Sequence, residues 1–293
     1  MKVQPECVPC LMKRVLYETN LVDSDKAYET LWAAARIFGE ELGRGPNSAQ
    51  LATKVHAEAY RILGDDDLYR KMKAGSNRMA LKLLPHARRL VGASKDKFKS
   101  AVLCSIVGNT LDFGIDSPVG SPKEILTKFD DLYGEGLAWD DTGKMRKLLG
   151  PGASVLYFAD NCGEIVFDTL LMERLKEFGV ILTLVVRGRP ILTDATLKDV
   201  KALGIDKLAD EVETTGVFAV GVDFSRIPRS LALKLERADL IIAKGMANWE
   251  SFSDEDYGPV AYLMRTKCGP VARGLGVRKD ANVAKLCPRP PKR

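Results

Sequence analysis

The chain carries two patterns of apolar and polar positions, one after the other. Over the first hundred or so residues, apolar side chains recur at three- and four-residue spacing, the mark of amphipathic helices. Cys10 to Asn20, Ser24 to Leu42, Ser48 to Leu63 and Asp66 to Val91 follow it, and Lys97 to Asn109 continues it. Breaks fall at Gly43-Arg44-Gly45-Pro46 and around Gly64. Ser24 and Ser48 each precede a helical pattern and are expected as N-caps. A connector containing Pro and Gly then runs from Gly114 to Trp139.

After Pro151-Gly152 short β-branched runs alternate with helical segments. Strands are expected at Ser154 to Ala159, Val180 to Val186 and Leu240 to Ala243, with Val260 to Arg265 either strand or helix. Helices are expected at Ile165 to Phe178, Leu192 to Leu203, Leu231 to Arg237 and Pro270 to Leu275. Such alternation predicts an α/β fold, a mainly parallel sheet covered on both faces. The organisation expected is a helical N-terminal region over 1–113, a connector over 114–150, and an α/β metal- and phosphate-binding domain over 151–293.

Composition adds exclusions. Hydrophobic residues at 46% and charged ones at 28% speak against disorder. The net charge of +5 comes without a basic arm or stripe, so no nucleic-acid partner is expected, and a small anionic substrate suits the field. The start lacks the apolar core of a signal peptide, and no apolar run could span a bilayer; a cytoplasmic chain with no membrane segment is expected. Six cysteines in a chain this long are no disulfide scaffold. Cys7 and Cys10 form a CxxC that fits a redox pair, a metal site completed by distant residues, or two buried small hydrophobes.

The chemistry collects at strand ends, where open parallel sheets bind ligands. The first strand runs into Asp160-Asn161-Cys162-Gly163-Glu164, and the second into Arg187 through Asp194. The third ends at Lys244-Gly245-Met246-Ala247-Asn248-Trp249-Glu250, and the fourth segment at Arg265-Thr266-Lys267-Cys268. Asp160, Asn161 and Asp194 offer hard oxygen ligands, which suit Mg²⁺ or Mn²⁺ over zinc. Arg187, Lys244 and Lys267 supply charge that matches a phosphate. Gly163 permits the turn into a helix whose N-terminus favours an anion. Singly, each feature also describes an ordinary turn or cap; their convergence on one rim argues for an active site. No dinucleotide, P-loop or nucleophile-elbow fingerprint occurs, and His56 and His86 lie in the helical half, away from that rim.

These segments resemble the metal-dependent damage-control phosphatase family, in its prokaryotic branch with an N-terminal CxxC. The matching pieces are Cys7-x-x-Cys10, Gly108-Asn109-x-x-Asp112, Asp160-Asn161-x-Gly163-Glu164, Arg187-Gly188-x-Pro190 with Asp194, Lys244-Gly245-x-x-Asn248-x-Glu250 and Lys267-Cys268-x-Pro270. The resemblance implies a helical N-terminal region with a three-layer α/β/α domain, and a metal on Asp160, Asn161 and Asp194. It implies hydrolysis of phosphate monoesters such as sugar phosphates and damaged or side-product phosphometabolites, with nucleotides a further class. Mn²⁺, Ni²⁺, Co²⁺ or Mg²⁺ would be the cofactor. In this reading Asp160, Lys244 and Lys267 are catalytic, while Arg187, Asn109, Asp112, Asn248, Glu250 and Gly163 hold substrate or orient the site. Two departures stand out: Thr193 replaces an expected Asn, and Arg189 occupies a position usually small or variable. The rivals are an S-adenosylmethionine-dependent methyltransferase, disfavoured by the Asp-Asn-Cys-Gly turn and Arg187, and a non-catalytic phosphometabolite-binding or redox module.

Overall fold

The computed structural model describes residues 1–109 and 122–289. Five helices come first: α1 (Cys7–Val22), α2 (Ala27–Glu41), α3 (Ser48–Leu63), α4 (Arg70–Ala93) and α5 (Lys97–Gly108). The expected caps shift by one residue. Asn47, not Ser48, caps α3, its carboxamide oxygen accepting from the amides of Ala49 at 2.8 Å and Gln50 at 3.4 Å. Ser48 instead donates to Glu250 across the molecule, at 2.5 Å. Asp23 caps a 3-10 turn over Ser24–Lys26 that precedes α2, so Ser24 lies inside that turn. Helices α1 to α3 close on their own small core of Val15, Ala34, Phe38, Leu51, Val55 and Ala59.

Helix α5 is different: from Ser100 to Gly108 every side is buried. A helix apolar all round must be enclosed by other layers. It lies between α4, α6 (Pro122–Gly134) and the sheet-covering helix α8 (Glu164–Glu177), sharing one core with them. Between α6 and α8 come β1 (Trp139–Asp140), α7 (Thr142–Arg146) and β2 (Ser154–Phe158). The segment expected as a connector is therefore built into the α/β unit: Phe129 of α6 and Met145 of α7 join the core of α4, α5 and the sheet.

The remaining elements are β3 (Ile181–Val186), α9 (Leu197–Leu203), β4 (Glu211–Thr214), α10 (Arg229–Arg237), β5 (Leu240–Lys244), α11 (Gly245–Phe252), β6 (Val260–Arg265), α12 (Gly269–Leu275) and β7 (Asn282–Cys287). The strands form one sheet in the order β1-β7-β6-β5-β2-β3-β4. Pairing is parallel except between β6 and β7, so the sheet is mainly parallel, with β1 and β7 reversed at one edge. Val155, Tyr157, Leu184 and Ile242 face α5 and α8, while Leu156, Phe158, Ile241 and Tyr262 face α10, α11 and α12. This is the three-layer α/β/α arrangement. Val260–Arg265 is a strand, with all six residues buried between neighbours on both sides. The helix expected from Leu192 begins only at Leu197, because the preceding residues fold back onto the end of β2. Edge strand β4, with its Glu-Val-Glu-Thr sequence, and the two-residue β1 carry too little apolar signal to be read from sequence. Among the described residues no helix is long and apolar enough to cross a membrane.

One packing contact makes a sign-sensitive test. Replacing glycine by alanine inside a helix normally stabilises by about 1 kcal/mol. At Gly108 a β-carbon would collide with the Phe167 ring of α8. Gly108→Ala is therefore expected to destabilise by about 1–3 kcal/mol, measured by urea denaturation. A stabilised variant would show that the α5–α8 contact yields freely.

Candidate active site

The ends of β2, β3 and β5 build one wall. Chain leaving β2 reaches Asp160 and Asn161, and the loop after β3 returns to meet it. The Ala195 amide donates to the Asp160 carbonyl at 2.8 Å, and the Cys162 amide to the Thr193 carbonyl at 2.8 Å. A bridge between Asn161 and Asp194 completes the stitching, placing Asp160, Asn161 and Asp194 side by side. After β5, Gly245 adopts φ +74° directly against the Asp160 carboxylate, leaving no room for a β-carbon. A cavity of about 390 Å³ opens over this wall. Helices contribute its far side through Cys10, Arg14, Met72 and Met246.

Negative charge dominates the wall. Asp160, Asp194 and Glu164 are all buried, at 6%, 5% and 1% exposure. Burial, then the neighbouring Asp194 and Glu164 carboxylates, push Asp160 well above the usual carboxylate range, against the pull of Arg187. Burial also raises Asp194, again opposed by Arg187. The Arg187 guanidinium, 1% exposed, lies behind them. Its Nε donates to Asp194 Oδ2 at 2.5 Å, Nη1 to Asn248 Oδ1 at 2.9 Å, and Nη2 reaches Asp160 Oδ1 at 3.4 Å. The Asn161 amide donates to Asp160 Oδ2 at 2.7 Å, and its own Oδ1 accepts from Thr193 at 2.6 Å. One guanidinium facing this many carboxylates leaves an excess of oxygen charge beside the cavity. That donor set fits a hard divalent cation, whose charge would reverse the upward shifts.

A second charged cluster lies deeper. Lys244, fully buried, donates to Glu164 Oε1 at 2.6 Å, Asp168 Oδ1 at 2.5 Å and the Ser105 carbonyl at 3.0 Å. Burial would lower this lysine, but Asp168 and Glu164 outweigh it and keep the ammonium raised. Asp168 is pushed up to about 7 by burial, with Lys244 opposing. Glu164 links the clusters, its Oε2 accepting from Asn109 Nδ2 at 2.6 Å, and that same amide reaches Asp160 Oδ2 at 3.1 Å.

Comparison with known proteins follows the same lines. The Damage-control phosphatase ARMT1-like domain matches residues 3–283. The chain belongs to this damage-control phosphatase family. A protein named damage-control phosphatase from Archaeoglobus fulgidus is 42% identical over 98% of this chain and 99% of its own length. Another of that name, from Pyrococcus horikoshii, is 31% identical over 97% of both chains. The crystal structure of a DUF89 family protein from Pyrococcus horikoshii superimposes with a TM-score of 0.89 at 30% identity, covering 98% of this chain and 99% of that one.

Within this chain, the expected site residues separate into two sets. Asp160, Asn161, Asp194, Asn109, Glu250, Lys267 and Cys10 line the cavity. Arg187, Lys244 and Asn248 lie behind its wall, fully engaged by buried partners rather than turned toward a phosphate. Their burial follows from position: each sits at the last residue of an interior strand or on the first turn after it. Lys267 is exposed, and its ammonium donates to the Asn109 carbonyl at 2.6 Å and Oδ1 at 3.1 Å, two neutral oxygens. The Gly163 amide donates to Asn77 Oδ1 at 2.7 Å, which occupies the donor expected for an anion. Asp112 lies outside the described residues. Cys7 is half-buried on the first turn of α1, and both it and Cys10 raise the thiol of Cys268 at the cavity rim, though less than its burial does. Thr193 bonds Asn161 as noted, while Arg189 is exposed and off the cavity wall. Sequence reasoning gave Glu164 no role and missed Asp168. Their i, i+4 spacing on an otherwise apolar helix face was the available signal, since buried acids at that spacing require a buried cation.

Arg187→Met removes the countercharge from two buried carboxylates. It is expected to destabilise the metal-free chain by about 3–5 kcal/mol, read as a lower urea midpoint. An unchanged midpoint would show that Arg187 does not balance them.

Proposed function

We propose that the chain is a metal-dependent phosphatase hydrolysing phosphate monoesters of small metabolites, including sugar phosphates and damaged or side-product phosphometabolites. One observation carries the reading: an under-neutralised oxygen cluster and an ammonium that meets no carboxylate among the described residues share a cavity of metabolite size. Asp160, Asn161 and Asp194 would hold a divalent ion, Mn²⁺, Ni²⁺, Co²⁺ or Mg²⁺. When bound, that ion supplies Lewis-acid polarisation of phosphoryl oxygens.

The protein's own groups do the rest. Lys267 stands where a phosphoryl group over the Asp160 wall would meet its charge. Asn109 is fixed by Lys267 on one side and by Asp160 and Glu164 on the other, which aligns the two halves of the wall. Arg187 holds the Asp160 and Asp194 carboxylates in place, and Lys244 holds Glu164, so neither pair has to reorganise as charge moves in the reaction. Met72, Leu192 and Met246 offer an apolar surface to the leaving group, and Glu250 an acceptor for its hydroxyls. Transfer to water breaks the phosphorus–alkoxide bond as the water oxygen joins phosphorus, and the water proton ends on the departing alcohol.

Two variants separate chemistry from binding. Asp160→Ala is expected to cost on the order of 10³-fold or more in kcat/KM, yet to leave the metal-free chain at least as stable, because it relieves the carboxylate crowding. Phosphate release from a panel of sugar phosphates and nucleotides, with and without EDTA, measures the first; a melting curve measures the second. Near-normal turnover, or turnover indifferent to EDTA, defeats the assignment, and binding without release favours a non-catalytic module. Lys267→Ala is expected to raise KM by roughly tenfold with a smaller fall in kcat, the pattern of lost ground-state phosphate binding.

A further inference from the structure

The loop carrying Asp194 contains a backbone conformation that its residue does not favour. Leu192 has φ +48°, in the left-handed region where side chains other than glycine, Asn and Asp are strained. It is the second residue of a tight turn closed by the Asp194 amide donating to the Ile191 carbonyl at 3.1 Å. Turns with positive φ at that position ordinarily carry glycine. Here the leucine side chain has two uses: it lines the cavity, and it packs with Ala49, Ala52, Ile191, Val220 and Ala247.

Something must hold the strained turn, and the structure shows what does. The Leu192 amide donates to the hydroxyl of Tyr60, on α3, at 3.0 Å. Tyr60 is 7% exposed, and its ring meets Phe218 edge-on at 5.3 Å between centroids. The hydroxyl thus projects from a buried, packed ring onto the left-handed Leu192, two positions before Asp194. We propose that Tyr60 is a positioning residue for the metal site: its hydroxyl pins the left-handed Leu192, and through that turn sets Asp194 and the Thr193 hydroxyl that orients Asn161. Helix α3 acts on Asp194 and Asn161 through this bond.

The proposal rests on Asp160, Asn161 and Asp194 binding a divalent ion, and the test keeps the two apart. Mn²⁺ binding to the full chain is measured by calorimetry for wild type, Tyr60→Phe, Leu192→Gly and the double variant. Tyr60→Phe, which keeps the ring on Phe218, is expected to weaken Mn²⁺ about tenfold, equivalent to about 1.4 kcal/mol. Leu192→Gly sets a new baseline, and because glycine adopts this conformation without strain, the double variant should match it within about twofold. Hydrogen exchange on the metal-free chains gives an independent readout: the Leu192 and Asp194 amides should exchange faster in Tyr60→Phe, with α3 protection unchanged. The proposal fails if Tyr60→Phe binds Mn²⁺ like wild type. It also fails if the loss is as large in the glycine background, or if α3 loses protection along with the turn, since either would make Tyr60 a packing residue only. A folded wild-type chain that takes up no Mn²⁺ overturns the metal reading instead, and the proposal with it.

Discussion

Three carboxylates buried at the carboxyl end of a parallel sheet set the terms for the rest of this structure. Asp160, Asp194 and Glu164 lie close enough that each raises the cost of ionising another. Water cannot reach them freely, so compensation must come from the protein or a bound cation. The chain supplies two buried cations from the ends of interior strands, Arg187 against the outer pair and Lys244 against Glu164 and Asp168. Three nearby amides are recruited as well: Asn109, Asn161 and Asn248 each bond a carboxylate or the guanidinium beside one. What remains uncompensated faces the cavity, which is where a cation with open coordination positions would be useful.

Much of this could be read from the chain. Helix α3 was legible to the residue because its apolar spacing is regular and Gly64 stops it. The interior strands were legible because they are short β-branched runs. Their ends then pointed to the wall of the cavity by topology alone. Depth was not legible. Lys244 and Lys267 look equivalent as cations following strands, yet one is sealed beneath α5 and α8 and the other stands exposed. The difference lies in α5, which covers the end of β5, and nothing local to either lysine encodes it. The cap of α3 was missed for a related reason: Ser48 has the right chemistry, but its hydroxyl is drawn to Glu250, 202 residues away.

The helical and sheet parts are also less separable than their sequence patterns. Helices α4 and α5 share the core of the sheet, and α3 reaches the Asp194 loop through Ala49, Ala52 and Tyr60. A site that looks sheet-borne in the sequence is thus closed by residues from more than a hundred positions earlier.

The cavity's two sides differ in how freely they can change. The sheet side is a lattice of mutually dependent charges, where replacing Arg187 or Lys244 strands buried carboxylates. The helix side offers Met72 of α4 and Met246 of α11, and methionines fill irregular space with little penalty for altered shape. Divergence within such a scaffold can therefore accumulate on the helices, reshaping what the cavity admits, while the oxygen lattice is inherited intact. An enzyme partitioned in this way can acquire new substrates without rebuilding its chemistry.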